Sequence, residues 1–193
     1  MTETPRDVFN DPWMITRSGR WVRLDKPEVE SIDVDDIAIA LSRIHRFTGH
    51  TDYSVAAHSL YVADLVHERH HDPALYLGAL LHDAHEAYIG DIATPVKVLI
   101  GRERVRDAAL VLDLAIGTKF GIGPMKMRDS RVKQADLDAL HAEAYWLLPD
   151  HGWYEEPPPV DAHQPYTWLD PDTTATMLAA AIRVTVNRIQ AAA

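Results

Sequence analysis

The run Ala79-Leu80-Leu81-His82-Asp83-Ala84-His85-Glu86-Ala87-Tyr88-Ile89-Gly90-Asp91 constrains the fold of this chain more than any other stretch. An apolar segment leads directly into His82-Asp83. Glu86 follows one helical turn later, and Asp91 lies just past a glycine. An imidazole beside a carboxylate in apolar surroundings is costly unless a metal ion or a hydrogen-bond network compensates both. The fold must therefore bring further polar side chains to this run from elsewhere.

Helical periodicity dominates the rest. Asp35 or Asp36 can cap a helix with Ile37, Leu41 and Ile44 on one stripe, followed by a polar loop from Thr48 to Asp52. Ser54 is suited to cap a helix from Val55 to about Arg69, with Val55, Val62, Leu65 and Val66 inward and His58 among them. His67, His70 and His71, at the end of that helix, read as solvated. Pro73 opens a helix predicted over Ala74 to Ile89 and stopped by Gly90. In it, Gly78, His82 and Glu86 follow one another at four-residue steps on one face, and Gly78 leaves room for a neighbouring helix or a ligand.

Pro95 suits the first turn of a new segment. A helix from Arg102 to Thr118 turns Val105, Ala109, Leu112 and Ile116 inward. The next, Asp129 to Leu148, lines its apolar face with Val132, Ala135, Ala139 and Leu140. Asp136 sits among these, while Asp138 is expected to face water. Asp170-Pro171 begins a last helix to about Ala191. The one strand signal is a hairpin, Trp13–Thr16 and Trp21–Leu24, turning at Ser18-Gly19. Pro149–Leu169, rich in Pro and aromatics, is long for a loop and reads as a lid or an interface arm. The expected fold is an all-α single domain of about six helices. Residues 1–34 form the hairpin and linker, 35–148 the helical core, and 149–193 the arm and final helix.

Composition narrows the chemistry. The chain has no cysteine, so any metal must be held by histidine and carboxylate, and eleven histidines are available. A net charge of -10 argues against a nucleic-acid footprint. It leaves room for a small phosphorylated substrate, since a metal ion supplies local positive charge. Met1 to Asn10 is polar without an apolar core, and no run is long enough to span a bilayer, so the expected location is cytoplasmic.

His58, His82-Asp83 and Asp136 stand on three predicted helices. Two imidazoles and two carboxylates suit a divalent cation such as Mn, Fe, Co, Zn or Mg and leave positions open for water and substrate. In this order they resemble the H…HD…D signature of HD-domain metal phosphohydrolases. The likeness is closest to the YfbR-type 5'-deoxynucleotidases and the phage dATP triphosphohydrolases. It is carried by Arg46-Phe47, Val55-Ala56-Ala57-His58-Ser59, the stretch His82 to Lys97 and Lys133-Gln134-Ala135-Asp136, and covers Asp35 to Leu148.

The resemblance implies a metal (Co, Mn, Mg or Zn) held by His58, His82, Asp83 and Asp136, and Arg46 holding phosphate. It gives Glu86 and Asp91 proton-transfer and water-orienting roles, either of them being an alternative ligand for a second metal if a triphosphate binds. Asp83, Asp91, Thr94 and Lys97 are candidate substrate contacts, with Phe47 stacking on sugar or base, and a homodimer or larger oligomer is expected. The function implied is hydrolysis of a (deoxy)nucleoside 5'-phosphate, as a 5'-deoxynucleotidase or a dNTP phosphohydrolase. A regulatory module that binds metal and nucleotide without turnover is the alternative. A cyclic-nucleotide phosphodiesterase is disfavoured by the residues following the HD pair.

Overall fold

Ser54 accepts a hydrogen bond from the Ala57 amide and starts α2 (Val55–His70), the helix around which the rest is arranged. The computed structural model describes residues 7, 10–149, 156–159, 161–167 and 169–192. Within them, α2 is buried over nearly its whole circumference from Val55 to Val66, not on a single stripe. A helix apolar on all sides has to be enclosed, and α2 is enclosed by α3 (Pro73–Leu81), α8 (Ser130–Leu147) and α9 (Pro171–Ala191). Tyr61, Leu65, Leu75, Leu77, Leu80, Leu81 and Leu178 fill the core between them. The buried His58 is therefore held from every direction.

α1 (Val34–Leu41) packs on α9 and is capped by Asp33, which accepts from the Asp35 and Asp36 amides. The cap thus lies upstream of the predicted Asp35 or Asp36. Asp36 instead accepts from the Thr16 and Ser18 hydroxyls and the Ser18 amide, pinning the hairpin to α1. That hairpin, β1 (Trp13–Ile15) and β2 (Trp21–Arg23), is antiparallel, with Met14 opposite Val22. It turns through Gly19 at φ +86°, a left-handed conformation that favours glycine.

The predicted helix over Ala74 to Ile89 is broken. α3 stops at Leu81, residues 82–85 form a turn, and α4 (Glu86–Ile89) follows. The reason is local. His82 Nδ1 donates to the Ala79 carbonyl at 2.8 Å, the acceptor that the Asp83 amide would take in a continuing helix. Bonds three residues back replace the helical ones, from Ala84 to Leu81 and from Glu86 to Asp83. After Gly90 come α5 (Thr94–Ile100), α6 (Arg102–Lys119) and α7 (Pro124–Met127). Among the described residues six helices, α1, α2, α3, α6, α8 and α9, run eight residues or more, in keeping with the expected all-α class.

Gly78 meets a neighbouring helix, as its size suggests. A Cβ there would lie 2.5 Å from the Lys126 carbonyl oxygen of α7. Helix propensity alone would make Gly78→Ala stabilising by about 1 kcal/mol. Because the contact is with backbone, the variant is instead expected to lose about 1–3 kcal/mol in denaturant unfolding. A gain would contradict the close α3–α7 approach.

Two further expectations change. Asp138 does not face water: it accepts from Arg69 of α2 at 2.6 Å. The described part of the Pro149–Leu169 arm docks on α2, through Asp161 to Arg69 and the Tyr166 hydroxyl to Asp64. The remainder, including Trp153 and Trp168, lies outside the described residues. No single helix among the described residues is long and apolar enough to cross a membrane.

Candidate metal centre

Three helix segments bring the site together. α2 contributes His58, the end of α3 and the turn after it contribute His82 and Asp83, and α8 contributes Asp136. His58 Nε2 lies 3.2 Å from His82 Nε2, 3.2 Å from Asp136 Oδ1 and 3.7 Å from Asp83 Oδ2. His82 Nε2 is 3.1 Å from Asp83 Oδ2 and 3.9 Å from Asp136 Oδ1. Ligand atoms about 2.1 Å from a common cation are separated by about 3 Å, so the spacings within His58, His82 and Asp83 fit one ion, and Asp136 Oδ1 lies at a like distance from His58.

Hydrogen-bond direction points the same way. The Ala79 carbonyl only accepts, so the His82 proton lies on Nδ1. His58 Nδ1 faces Glu143 Oε1 at 2.6 Å, which places its proton on that side too. Both Nε2 lone pairs then point at each other and at two carboxylate oxygens. With both rings neutral, four acceptors converge with no donor between them, an arrangement that a cation satisfies.

Without a cation, protons do part of that work. Burial and Arg46 pull the His58 pKa down, but Glu143 and Asp136 outweigh them and push it up to about 9. Burial opposes ionisation of Asp83 and Asp136, yet His82 and His58 hold both well below the usual carboxylate range. Burial, with Asp83 and Asp91 nearby, pushes Glu86 up to about 10.

Glu86 and His58 thus keep protons in the fold that the unfolded chain releases from 4.5 and 6.5 upward. The ion-free protein is therefore expected to lose stability as pH rises through neutrality towards about 9 to 10. A cation replaces His58's proton, so the melting shift on adding Mn2+ should be larger at about pH 8.5 than at about pH 6. Equal shifts would contradict this proton competition.

Glu143, fully buried on α8, is the residue that sequence reasoning missed. One oxygen orients His58 and the other accepts from Arg46 Nε at 2.7 Å. The available signal was its place seven residues after Asp136, two turns along the same apolar face. Arg46 is consequently a partner of Glu143 as well as a cation beside Asp83, Asp136 and Asp91. Its guanidinium lies over the Phe47 ring at 5.8 Å, and Phe47 and Thr48 take left-handed φ angles of 53° and 58° as the chain turns.

Asp83, Asp136 and Lys97 line one cleft of about 440 Å³, together with His82, His85, Arg102, Arg106, Arg128 and Lys133. Five of these side chains are cationic, and Glu103 and Asp113 line the cleft as carboxylates alongside Asp83 and Asp136. Lys133 Nζ also holds Asp136 Oδ2 at 2.7 Å, leaving Oδ1 for the histidines. Thr94 is exposed at the start of α5, and neither it nor Phe47 lines this cleft. Asp91 is half-buried and acts on Arg46 and Glu86 through its charge.

No family model matches the chain. Over 139 residues it is 37% identical to the uncharacterized protein YfdR of Escherichia coli strain K12, covering 71% of this chain and 73% of YfdR. Over 145 residues it is 36% identical to an uncharacterized protein of Rhodobacter capsulatus, covering 68% and 71%. At that identity and coverage the chain belongs to the family that includes YfdR.

Proposed function

We propose that this protein is an HD-type phosphohydrolase that uses a divalent cation to hydrolyse (deoxy)nucleoside 5'-phosphates. The observation that carries the reading is the convergence of His58, His82, Asp83 and Asp136 beside a cleft that Lys97, Arg102 and Arg106 also line. His58, His82, Asp83 and Asp136 would hold a divalent cation, which when bound would supply polarisation of a phosphoryl oxygen and acidification of water. The chain's own residues do the rest. Lys97, Arg102 and Arg106 neutralise phosphate charge in the cleft, and the terminal nitrogens of Arg46 offer a planar fork to a phosphoryl oxygen. Asp91 accepts a proton from the attacking water or returns one to the leaving oxygen. Glu86, buried and protonated in the ion-free fold, orients the water by donating a hydrogen bond. A cytoplasmic location and a homodimer or larger oligomer go with this reading.

A binding module that senses a nucleotide without turnover is the second reading. Asp91, whose charge acts on Arg46 and Glu86 beside the cluster, speaks against it, since binding metal and nucleotide alone does not require it. Product analysis separates the two. Chelator-stripped protein is supplied with Co, Mn, Mg or Zn and offered dNMPs, dNTPs, NTPs and a cyclic nucleotide. Nucleoside with orthophosphate or triphosphate is expected. Tight nucleotide binding with no product under any metal would sink the enzyme reading.

A further inference from the structure

The turn that breaks the predicted helix also gathers a second group of ligands. Its hydrogen bonds run three residues back, and at about three residues per turn side chains at i and i+3 eclipse. Asp83 and Glu86 are thereby brought to one side, beside His85. One ligand atom from each of Asp83, His85 and Glu86 lies within 4.8 Å of the other two.

Two observations separate this group from a chance cluster. Glu86 is 5% exposed, and its Oε2 is buried without a hydrogen-bond partner. A carboxylate oxygen in that position lacks either water or a donor to satisfy it. The His85 ring is fixed in the same manner as the His58 ring. Its Nδ1 lies 3.1 Å from Asp113 Oδ1, and Asp113, 1% exposed, is itself gripped by Arg128 at 2.6 and 3.0 Å. A carboxylate on one ring nitrogen leaves the other as the ligand, which is how metal-binding histidines are commonly oriented. Asp113 thus joins an ion pair with Arg128 to a hold on the mostly buried His85 ring.

We infer that Asp83, His85 and Glu86 form a second divalent-cation site, joined to the first through the shared Asp83 carboxylate. Two carboxylates and one imidazole favour an oxygen-seeking ion of the Mn2+ or Mg2+ class, with its remaining positions open to water and substrate oxygens from the cleft. The site rests on the proposed function only in sharing Asp83. In it Glu86 acts as a ligand, and its hydrogen-bonding role applies when the second ion is absent.

Equilibrium dialysis of the metal-free full chain against Mn2+, with metal content read by mass spectrometry, tests it. Two Mn2+ per chain are expected, with the electron paramagnetic resonance signal broadened by their proximity. His85→Ala and Glu86→Gln should each keep one tightly bound Mn2+ and weaken the second about tenfold or more. Circular dichroism verifies that both variants fold. One Mn2+ per wild-type chain, abolished by His58→Ala, would overturn the second site and leave the proposed function standing. Two retained in both folded variants would overturn it as well. No Mn2+ bound at all would overturn both readings.

Discussion

Glu143→Ala is expected to cost about 3–5 kcal/mol of stability, lowering the melting point by on the order of 10 °C. Glu143 is fully buried and serves two cationic or donor groups at once, Arg46 Nε at 2.7 Å and His58 Nδ1 at 2.6 Å. Removing it leaves the Arg46 guanidinium, whose side chain is 11% exposed, without its hydrogen-bonded counter-charge. The cost of a stranded buried charge exceeds the worth of the pair itself. It also frees the His58 ring to rotate or change tautomer, so metal affinity should fall about 10- to 100-fold. Glu143→Gln keeps the volume and one acceptor, and should retain most of the stability while losing metal affinity. Thermal melts and metal titrations on the two variants check this. An Ala variant as stable as wild type would show that Glu143 is dispensable to the core.

Asp83→Ala has the largest expected effect on activity. Asp83 Oδ2 sits 3.1 Å from His82 Nε2 and 3.7 Å from His58 Nε2, so it faces both imidazoles of the cluster. Its loss leaves three ligands and removes the negative charge that favours a divalent ion. Nucleotide turnover should fall to the background of metal-free protein, and stoichiometric metal binding should be lost. The fold should survive, because the Asp83 side chain is partly exposed at the cleft wall and is not part of the apolar core. Turnover within tenfold of wild type would exclude Asp83 from the reaction.

The four converging side chains were legible in the sequence for a common reason. His58 and Asp136 each interrupt an apolar stripe at helical spacing, and His82-Asp83 ends an apolar run, so each announces a buried polar group in need of a partner. The broken helix was not legible. The stretch from Ala74 to Ile89 carries a helical pattern throughout, and the break comes where the His82 ring takes the Ala79 carbonyl. Asp138 failed for a different reason. Its partner Arg69 lies 69 residues away on α2, and no local pattern announces it. Glu143 belonged to the same stripe as Asp136 and could have been found by extending that face further along the helix. His85 was hidden because its anchor, Asp113, lies on α6 and depends on how α6 is placed beside the turn.

In the proposed reaction water attacks phosphorus at the His58–Asp136 cluster. Hydrolysis in 18O-labelled water tests it most directly. Metal-reconstituted protein is incubated with the nucleotide found to turn over, and the products are read by mass spectrometry. One 18O is expected in a phosphate-containing product, none in the nucleoside hydroxyl, and no incorporation with Asp83→Ala. Label in the nucleoside oxygen, or an intact nucleotide recovered from a metal-loaded complex, would contradict it.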